Sequence, residues 1–383
     1  MIDIQAAARQ GADQSYMAHA LRLAELGRYT TDPNPRVGCV LVRDGAVIGE
    51  GWHRRAGEPH AERNALAQAG GLAHGATAYV TLEPCCHQGR TPPCTEALIE
   101  AGVARVVCAM IDPNPLVAGQ GIALLRQAGI KVETGVLEAD ARALNPGFIR
   151  RMEQGRPYVR CKLAASLDGR TAMPDGESKW ISSEDSRRDV QRWRAGSSAI
   201  LTGIGTVLAD DPGLNVRLAA GDLPGMDPAD PVRQPLRVVV DSQWRMPPTA
   251  RMLALPGETL IVGVADNPRR IAALEAAGAQ SHLSPQDTGR VDLAALLDEL
   301  ARRDINEILL ETGATLAGAA LAAGLVDEFI LYLAPHLLGD AARGLFHLPG
   351  LTTMADRLSL DILDVRRIGP DLRILSRPLT TNH

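Results

Sequence analysis

At 383 residues the chain is longer than one compact core usually serves, so two domains are expected. Forty basic against 45 acidic side chains leave a net charge of −5, and 45% hydrophobic with 22% charged residues is ordinary globular composition. These values argue against a general nucleic-acid binder, and the start MIDIQAAARQGADQS lacks the basic stretch and apolar run of a secretory signal.

The first predicted element is a helix over SYMAHALRLAELG (15–27), where apolar residues recur at helical spacing and Gly27 is the stop. RVGCVLVRDGAVIGEGWH (36–53) reads as two strands joined by Asp44-Gly45, a strong hairpin signal. HAERNALAQAGG (60–71) predicts a helix, ATAYVTLEP (76–84) a buried strand, TEALIEAG (95–102) a short helix and VARVVCAMID (103–112) another strand. This alternation predicts a layered α/β domain over 1–145, followed by a linker over 146–156 rich in glycine, proline and charge. Strand patterns resume in a second domain, 157–383: YVRCKLAAS, SAILTG, LRVVVD, TLIVGVA, EILLE, EFILYLAP and LRILS. Helical IAALEAAG and LAALLDELARR lie between some of them. AAGDLPGMDPADPVRQP (219–235) reads as a surface loop. No apolar run reaches the ~18 residues of a membrane span, and six cysteines do not make a disulfide scaffold in so long a chain. Cys39, Cys108 and Cys161 sit in apolar strands as inert thiols, and the expected compartment is the cytoplasm.

The other three cysteines crowd into LEPCCHQGRTPPC (82–94), about 25 residues after His60-Ala61-Glu62. Zinc takes nitrogen and sulfur ligands, and a catalytic zinc keeps one position open for water. One imidazole and two thiolates meet that need, leaving Glu62 to move protons without binding the metal. His-x-Glu followed by Pro-Cys and a later Cys is the pattern of zinc deaminases, here with eight residues between Cys85 and Cys94 instead of two. On spacing alone, Cys86 or His87 is a rival ligand, and a fourth protein ligand would make the site structural.

EPCCHQGRTPPC, together with TDPNPRVGCVLV and HAERNAL, closely resembles the deaminase half of the bacterial bifunctional riboflavin-biosynthesis deaminase-reductases. The resemblance implies a cytidine-deaminase-like three-layer domain with one zinc on His60, Cys85 and Cys94 and with Glu62 as proton shuttle. The implied reaction is hydrolytic deamination of 2,5-diamino-6-(5-phosphoribosylamino)pyrimidin-4(3H)-one. Asn34, His53, His87 and Arg90 are candidates to contact that substrate, Arg90 above all because arginine binds phosphate bidentately.

The second half carries PYVRCKLAASLDGRTA, GESKWISS, AILTGIGTVLADDPGLNVR and LLETGATLAGA, which resemble the reductase half of the same family. A dihydrofolate-reductase-like domain reducing ribosyl to ribityl with NADPH is implied. The matching positions suggest Ala164, Trp180, Thr206, Asp210, Ser242 and Gly313, Ala314, Thr315, Leu316, Ala317, Gly318 and Ala319 for the dinucleotide. Ser178, Arg194, Leu214, Arg217 and Glu311 are suggested for the substrate, with Lys162 or Asp210 as proton donor. Small-molecule substrates are expected, and neither nucleic acid nor membrane. A homodimer or homotetramer is expected too, for which the Ala/Leu-rich LAGAALAAGLVDE helix offers a face. The alternatives are a deaminase of the tRNA-adenosine type on an unrelated reductase, disfavoured by the long cysteine loop and the absence of a basic stripe, and a structural zinc beside reductase activity alone.

Overall fold

The computed structural model describes residues 4–87, 92–284 and 289–379, with side chains from residue 9 onward. The chain forms two compact units, Met1–Gly155 with Ala219–Pro231, and Arg156–Leu218 with Val232–His383.

The first unit runs α1 (Ile4–Glu25), β1 (Gly38–Arg43), β2 (Ala46–Trp52), α2 (Ala61–Ala69), β3 (Thr77–Val80), α3 (Cys94–Glu100), β4 (Arg105–Cys108), α4 (Gln120–Gln127), β5 (Lys131–Thr134), α5 (Glu138–Leu144) and α6 (Pro146–Gln154). Among the described residues its sheet has the order β2-β1-β3-β4-β5. The β1 pairings are antiparallel, while β3, β4 and β5 run parallel. Asp44 (φ 49°) and Gly45 (φ 78°) form the turn of the expected hairpin, in the left-handed conformation that a two-residue loop between twisted strands requires.

Alternation along β1 explains the three layers. Cys39 and Leu41 face Ala61 and Ala65 of α2, Leu98 of α3 and Leu125 of α4. Val40 and Val42 face the opposite core, with Met17 and Ala20 of α1, Ala141 of α5 and Phe148 and Ile149 of α6. The expected linker 146–156 is therefore helical over most of its length, because Phe148 and Ile149 bury into that second core. The 219–235 segment also departs from a plain surface loop. Ala220 and Leu223 are buried, and Asp230 pairs with Arg55 at 2.5 Å within the first unit.

The second unit runs β6 (Tyr158–Ser166), β7 (Arg170–Ala172), α7 (Glu184–Gly196), β8 (Ala199–Gly203), α8 (Ile204–Asp210), β9 (Leu236–Val240), β10 (Thr259–Gly263), α9 (Pro268–Ala276), β11 (Gln280–Leu283), α10 (Leu293–Arg302), β12 (Glu307–Glu311), α11 (Ala314–Ala322), β13 (Glu328–Ala334), β14 (Arg343–Gly344), β15 (Leu360–Ile368) and β16 (Asp371–Pro378). Its main sheet has the order β11-β10-β9-β8-β12-β6-β13-β16-β15. The first seven strands are parallel, and β16 and β15 close the sheet as an antiparallel hairpin. α10 and α11 cover one face, and α7, α8 and α9 cover the other, so the parallel strands are apolar on both sides. In the LAGAALAAGLVDE segment, expected to offer a subunit face, Ala317 and Ala320 are buried in the unit's own core, while Ala319, Ala322 and Ala323 are exposed.

One close approach places the first unit's site. A Cβ on Gly51 would run into the Ala61 carbonyl, and one on Gly49 into the Ala65 carbonyl, so α2 lies directly on β2. Gly51→Val should therefore cost the first unit about 1–3 kcal/mol. Thermal unfolding followed by circular dichroism checks this, with the second unit's transition expected to stay in place.

Candidate active sites

The start of α2 sets the first site. His60 is its N-cap residue, with extended backbone at φ −73°, ψ 168°. Cys85 follows β3, and its carbonyl accepts from the Thr95 amide at 3.2 Å and the Thr95 hydroxyl at 3.3 Å. Cys94 opens α3, and its amide donates to Cys85 Sγ at 3.4 Å. His60 Nδ1 lies 3.5 Å from Cys85 Sγ and 3.4 Å from Cys94 Sγ, and the three ligand atoms all fall within 4.8 Å of one another. Tetrahedral zinc with ordinary Zn–N and Zn–S bonds needs ligand atoms roughly 3.5–3.8 Å apart. The residues fit that ion.

The electrostatics also suit a cation. The hydrogen bond with Cys94, then that with His60, pulls the Cys85 thiol down, while the same Cys85 contact and burial push Cys94 up. The pair thus holds one thiolate's charge, and a cation between the sulfurs is what allows both to ionise. Cys86 is pushed up by burial and stands aside from the trio. Glu62 is 3% exposed, and burial followed by the Cys85 charge raises its carboxyl to about 7. Its Oε2 has no hydrogen-bond partner among the described residues, so a proton-carrying group beside the trio has an oxygen free.

His53 stands edge-on to His60, ring centroids 5.1 Å apart. Its Nδ1 donates to the Pro59 carbonyl at 3.3 Å, and its Nε2 accepts from Asn34 Nδ2 at 3.1 Å. Burial and the neighbouring His60 lower it to about 4, so it stays neutral at physiological pH. Asn34 and His53 therefore join the trio's surroundings as a hydrogen-bonded pair. His87 is exposed, and Arg90 lies outside the described residues.

Three residues that the motifs did not single out shape this site. Asn145 accepts from the Arg36 amide at 2.8 Å and donates to its carbonyl at 2.9 Å, fixing the segment that carries Asn34. Asp112, raised to about 6 by burial, accepts from the Asn114 amide at 2.8 Å. Glu83 is buried with its carboxylate on backbone amides. The asparagine contact spans 109 residues of sequence, which no local motif reports.

The second site gathers at the carboxyl end of β12, beside the middle of the longer β6, and parallel sheets bind ligands at the carboxyl ends of their strands. Glu311 and Lys162 are register partners on adjacent strands. Arg194 of α7 grips Glu311 in a fork, Nε–Oε1 2.6 Å and Nη2–Oε2 2.9 Å, and its Nη1 donates to the Asn215 carbonyl at 3.1 Å. Burial would raise Glu311, but Arg194 and then Lys162 outweigh it, and the carboxylate is held low. Burial lowers Lys162 against the pull of Glu311. Arg217 is exposed, and partial burial plus repulsion from Arg194 and Arg251 depresses it. The structure thus brings Lys162, Arg194, Arg217 and Glu311 together.

The remaining positions are placed as follows. Gly313 and Thr315 are exposed at the start of α11, with Ala314 and Leu316 half-buried beside them and Ala319 exposed a turn later. Ala317 is fully buried, and Gly318 is pressed against the His347 carbonyl, so this turn is open at its first residues. Thr206 is half-buried on α8, and Asp210 is exposed at its end. The Ser242 carbonyl accepts from Val264 and Ala265, and its hydroxyl from the Val291 amide. Ala164 pairs in register with Tyr332. Leu214 is buried at φ 44°, Ser178 is half-buried, and Trp180 is 71% exposed with the Arg187 guanidinium 4.5 Å from its ring.

Comparison with known proteins bears on both sites. A family model described as the cytidine and deoxycytidylate deaminase zinc-binding region matches residues 10–110, and one described as the RibD C-terminal domain matches 157–374. The chain is 54% identical to riboflavin biosynthesis protein RibD of Escherichia coli K12, over 94% of this chain and 98% of that one. It is 49% identical to the Haemophilus influenzae RibD, over 96% and 97%. Among solved structures, Acinetobacter baumannii RibD superposes with a TM-score of 0.89 at 48% identity, covering 97% of this chain and all of the other. A Thermotoga maritima diaminohydroxyphosphoribosylaminopyrimidine deaminase/5-amino-6-(5-phosphoribosylamino)uracil reductase gives 0.83 at 32% identity, covering 97% of this chain.

The raised Glu62 carboxyl carries a stability consequence. An acid that ionises near 4.5 when unfolded and near 7 when folded binds more protons in the folded state between those values. Its contribution is complete below pH 4.5 and is lost as pH rises through 7. In metal-free protein, wild type should thus lose stability relative to Glu62→Gln across that window, by on the order of 3 kcal/mol. Denaturant unfolding of both forms at pH 4.5, 6 and 7.5 measures the difference.

Proposed function

The chain belongs to the RibD family, and from that premise we propose how its residues divide the work of two reactions. The protein is a bifunctional riboflavin-biosynthesis enzyme. It deaminates 2,5-diamino-6-(5-phosphoribosylamino)pyrimidin-4(3H)-one with a zinc-binding domain, then reduces the ribosyl group of the resulting uracil to ribityl with an NADP-dependent domain. We assign deamination to residues 1–145 together with α6, and reduction to 157–383. The observation that carries the reading is the His60–Cys85–Cys94 trio with a buried, proton-bearing Glu62 beside it.

In this assignment His60, Cys85 and Cys94 hold the zinc, which when bound supplies Lewis-acid activation of water near neutral pH. Glu62 takes a proton on its free Oε2 and delivers it to the departing ammonia, a role suited to a carboxyl near pH 7. Neutral His53 and Asn34 orient the pyrimidine by hydrogen bonds. His87 and Arg90 are the candidates for the ribose-phosphate end.

For reduction, NADPH supplies the hydride, and the protein positions it. The exposed first residues of α11 offer backbone amides to the cofactor's phosphates, with Ala164, Trp180, Thr206 and Ser242 as its other neighbours. Hydride arriving at C1′ leaves negative charge on the departing ring oxygen. Lys162, lowered by burial, is the better donor at Nζ than Asp210, which is exposed at the end of its helix. Arg194 already spends its fork on Glu311, so Arg217 is the arginine left for the 5′-phosphate. Leu214 and Ser178 complete the substrate wall.

Among the described residues no helix is long and apolar enough to cross a membrane. The protein works in the cytoplasm, where its free cysteines stay reduced. It associates with a second copy through the edge of the large sheet. There β15 exposes Leu360, Ile362, Leu363 and Val365. Asp361 and Asp364 already pair with Arg377, Arg366 and Arg373 within the chain, so antiparallel pairing of two such edges is driven by the apolar side chains and the open backbone groups.

Three experiments test this reading. Zinc-loaded protein given the diaminopyrimidine ribotide should release ammonia without NADPH and oxidise NADPH afterwards. Glu62→Gln should keep zinc and reductase activity while deamination falls about 10²–10⁴-fold; deamination at the wild-type rate removes the shuttle. For the assembly, Ile362→Lys should shift sedimentation from oligomer toward monomer, and a wild-type chain sedimenting as a monomer refutes the pairing.

A further inference from the structure

We infer that Glu83 is a positioning residue for deamination: its carboxylate locks the loop that carries Cys85 to the start of α4. Glu83 sits two positions before Cys85 and is 3% exposed. Its Oε2 accepts from the Asp112 amide at 3.1 Å and the Gly119 amide at 2.9 Å, and its Oε1 accepts from the Ile122 amide at 3.1 Å. Its own amide donates to the Met110 carbonyl at 3.1 Å.

The reason for a carboxylate lies in α4. Gly119 is the N-cap of that helix at φ 86° and has no side chain to accept from its first-turn amides. A helix that starts this way leaves amides orphaned unless something else takes them, and an anion is the favoured acceptor there. Glu83 takes them from 36 residues upstream. The approach is tight, because a Cβ on Gly121 would run into the Pro84 carbonyl, one residue from Cys85. Buried carboxylates are costly unless fully hydrogen-bonded, and this one is spent on joining a metal-site loop to a helix start. An amide of the same shape has one accepting oxygen and turns a donor toward the other set of N–H groups.

The inference rests on His60, Cys85 and Cys94 being the zinc ligands. The test is zinc release from the full-length zinc-loaded protein to a chromogenic chelator, with deaminase kcat and KM and reductase rate measured in parallel. Glu83→Gln should release zinc at least ~10-fold faster and lose deaminase kcat, with the reductase rate kept. Gly121→Ala leaves the carboxylate intact but forces α4 off Pro84, and should also release zinc faster, although alanine alone favours a helix. That second variant decides the matter if the first does not fold. Wild-type zinc release and deamination in both variants overturn the inference, as does a parallel loss of both activities and of global stability. A wild-type chain that holds no zinc fails the ligand assignment itself. Zinc held equally well by wild type and both variants fails only the role of Glu83.

Discussion

Two sulfurs and an imidazole nitrogen within 4.8 Å of one another, with a buried carboxyl beside them, are not something a chain adopts cheaply. Burial penalises every charge in the group, and the thiolates and the carboxylate repel each other. The first unit is arranged to meet that cost. α2 lies on a glycine-bearing strand so that His60 reaches the cysteines. Thr95 holds the Cys85 carbonyl, and Arg63 donates to the carbonyls of Pro92 and Pro93 at 3.3 and 3.0 Å just before Cys94. The raised carboxyl and the shared thiolate are the residual strain of that crowding, and both make proton transfer and cation binding favourable.

The second unit solves a different electrostatic problem. A buried fork between Arg194 and Glu311 satisfies both ions, yet a buried ion pair is weak evidence for stability in itself. What it does here is organise its neighbours. Glu311 carries its charge onto the strand next to Lys162, and Arg194 reaches the Asn215 carbonyl in the loop between Leu214 and Arg217. Cationic charge remains beyond that pairing, on Arg217 with Arg251 and Arg187 near it.

Much of this was legible in the sequence, for identifiable reasons. The β1–β2 hairpin announced itself through Asp44-Gly45, and the strands of both sheets through apolar runs, since these signals are local. The metal trio was legible because each ligand sits at an element boundary marked by proline or by a helix start. The linker was misread because PGFIRRMEQ carries three charges in nine residues, while Gly147, Phe148 and Ile149 are buried and Met152 packs against the same core. Which stripe of LAGAALAAGLVDE is buried was not legible, because Ala/Leu composition does not tell an internal core from an external face. A run of exposed apolar residues also lies on β15, where neither LDILDVRRI nor its burial alternates strictly, so no local pattern marked it. Asn145 and Glu83 were invisible because their partners are distant in sequence and are backbone atoms, which carry no residue signature.

The eight residues between Cys85 and Cys94 sharpen the point. With only two intervening residues, helix and turn geometry would hold the second sulfur near the first with little help. A longer loop adds only modest closure entropy, because that cost grows as the logarithm of length. What it does give up is automatic register, and register must then come from elsewhere in the fold. The Thr95 bonds to the Cys85 carbonyl, the Cys94 amide on Cys85 Sγ and the Arg63 bonds to the prolines are that replacement. With zinc assigned to Cys85 and Cys94, His87 and Arg90 remain the proposed candidates for the substrate, which a two-residue spacing has no room to supply.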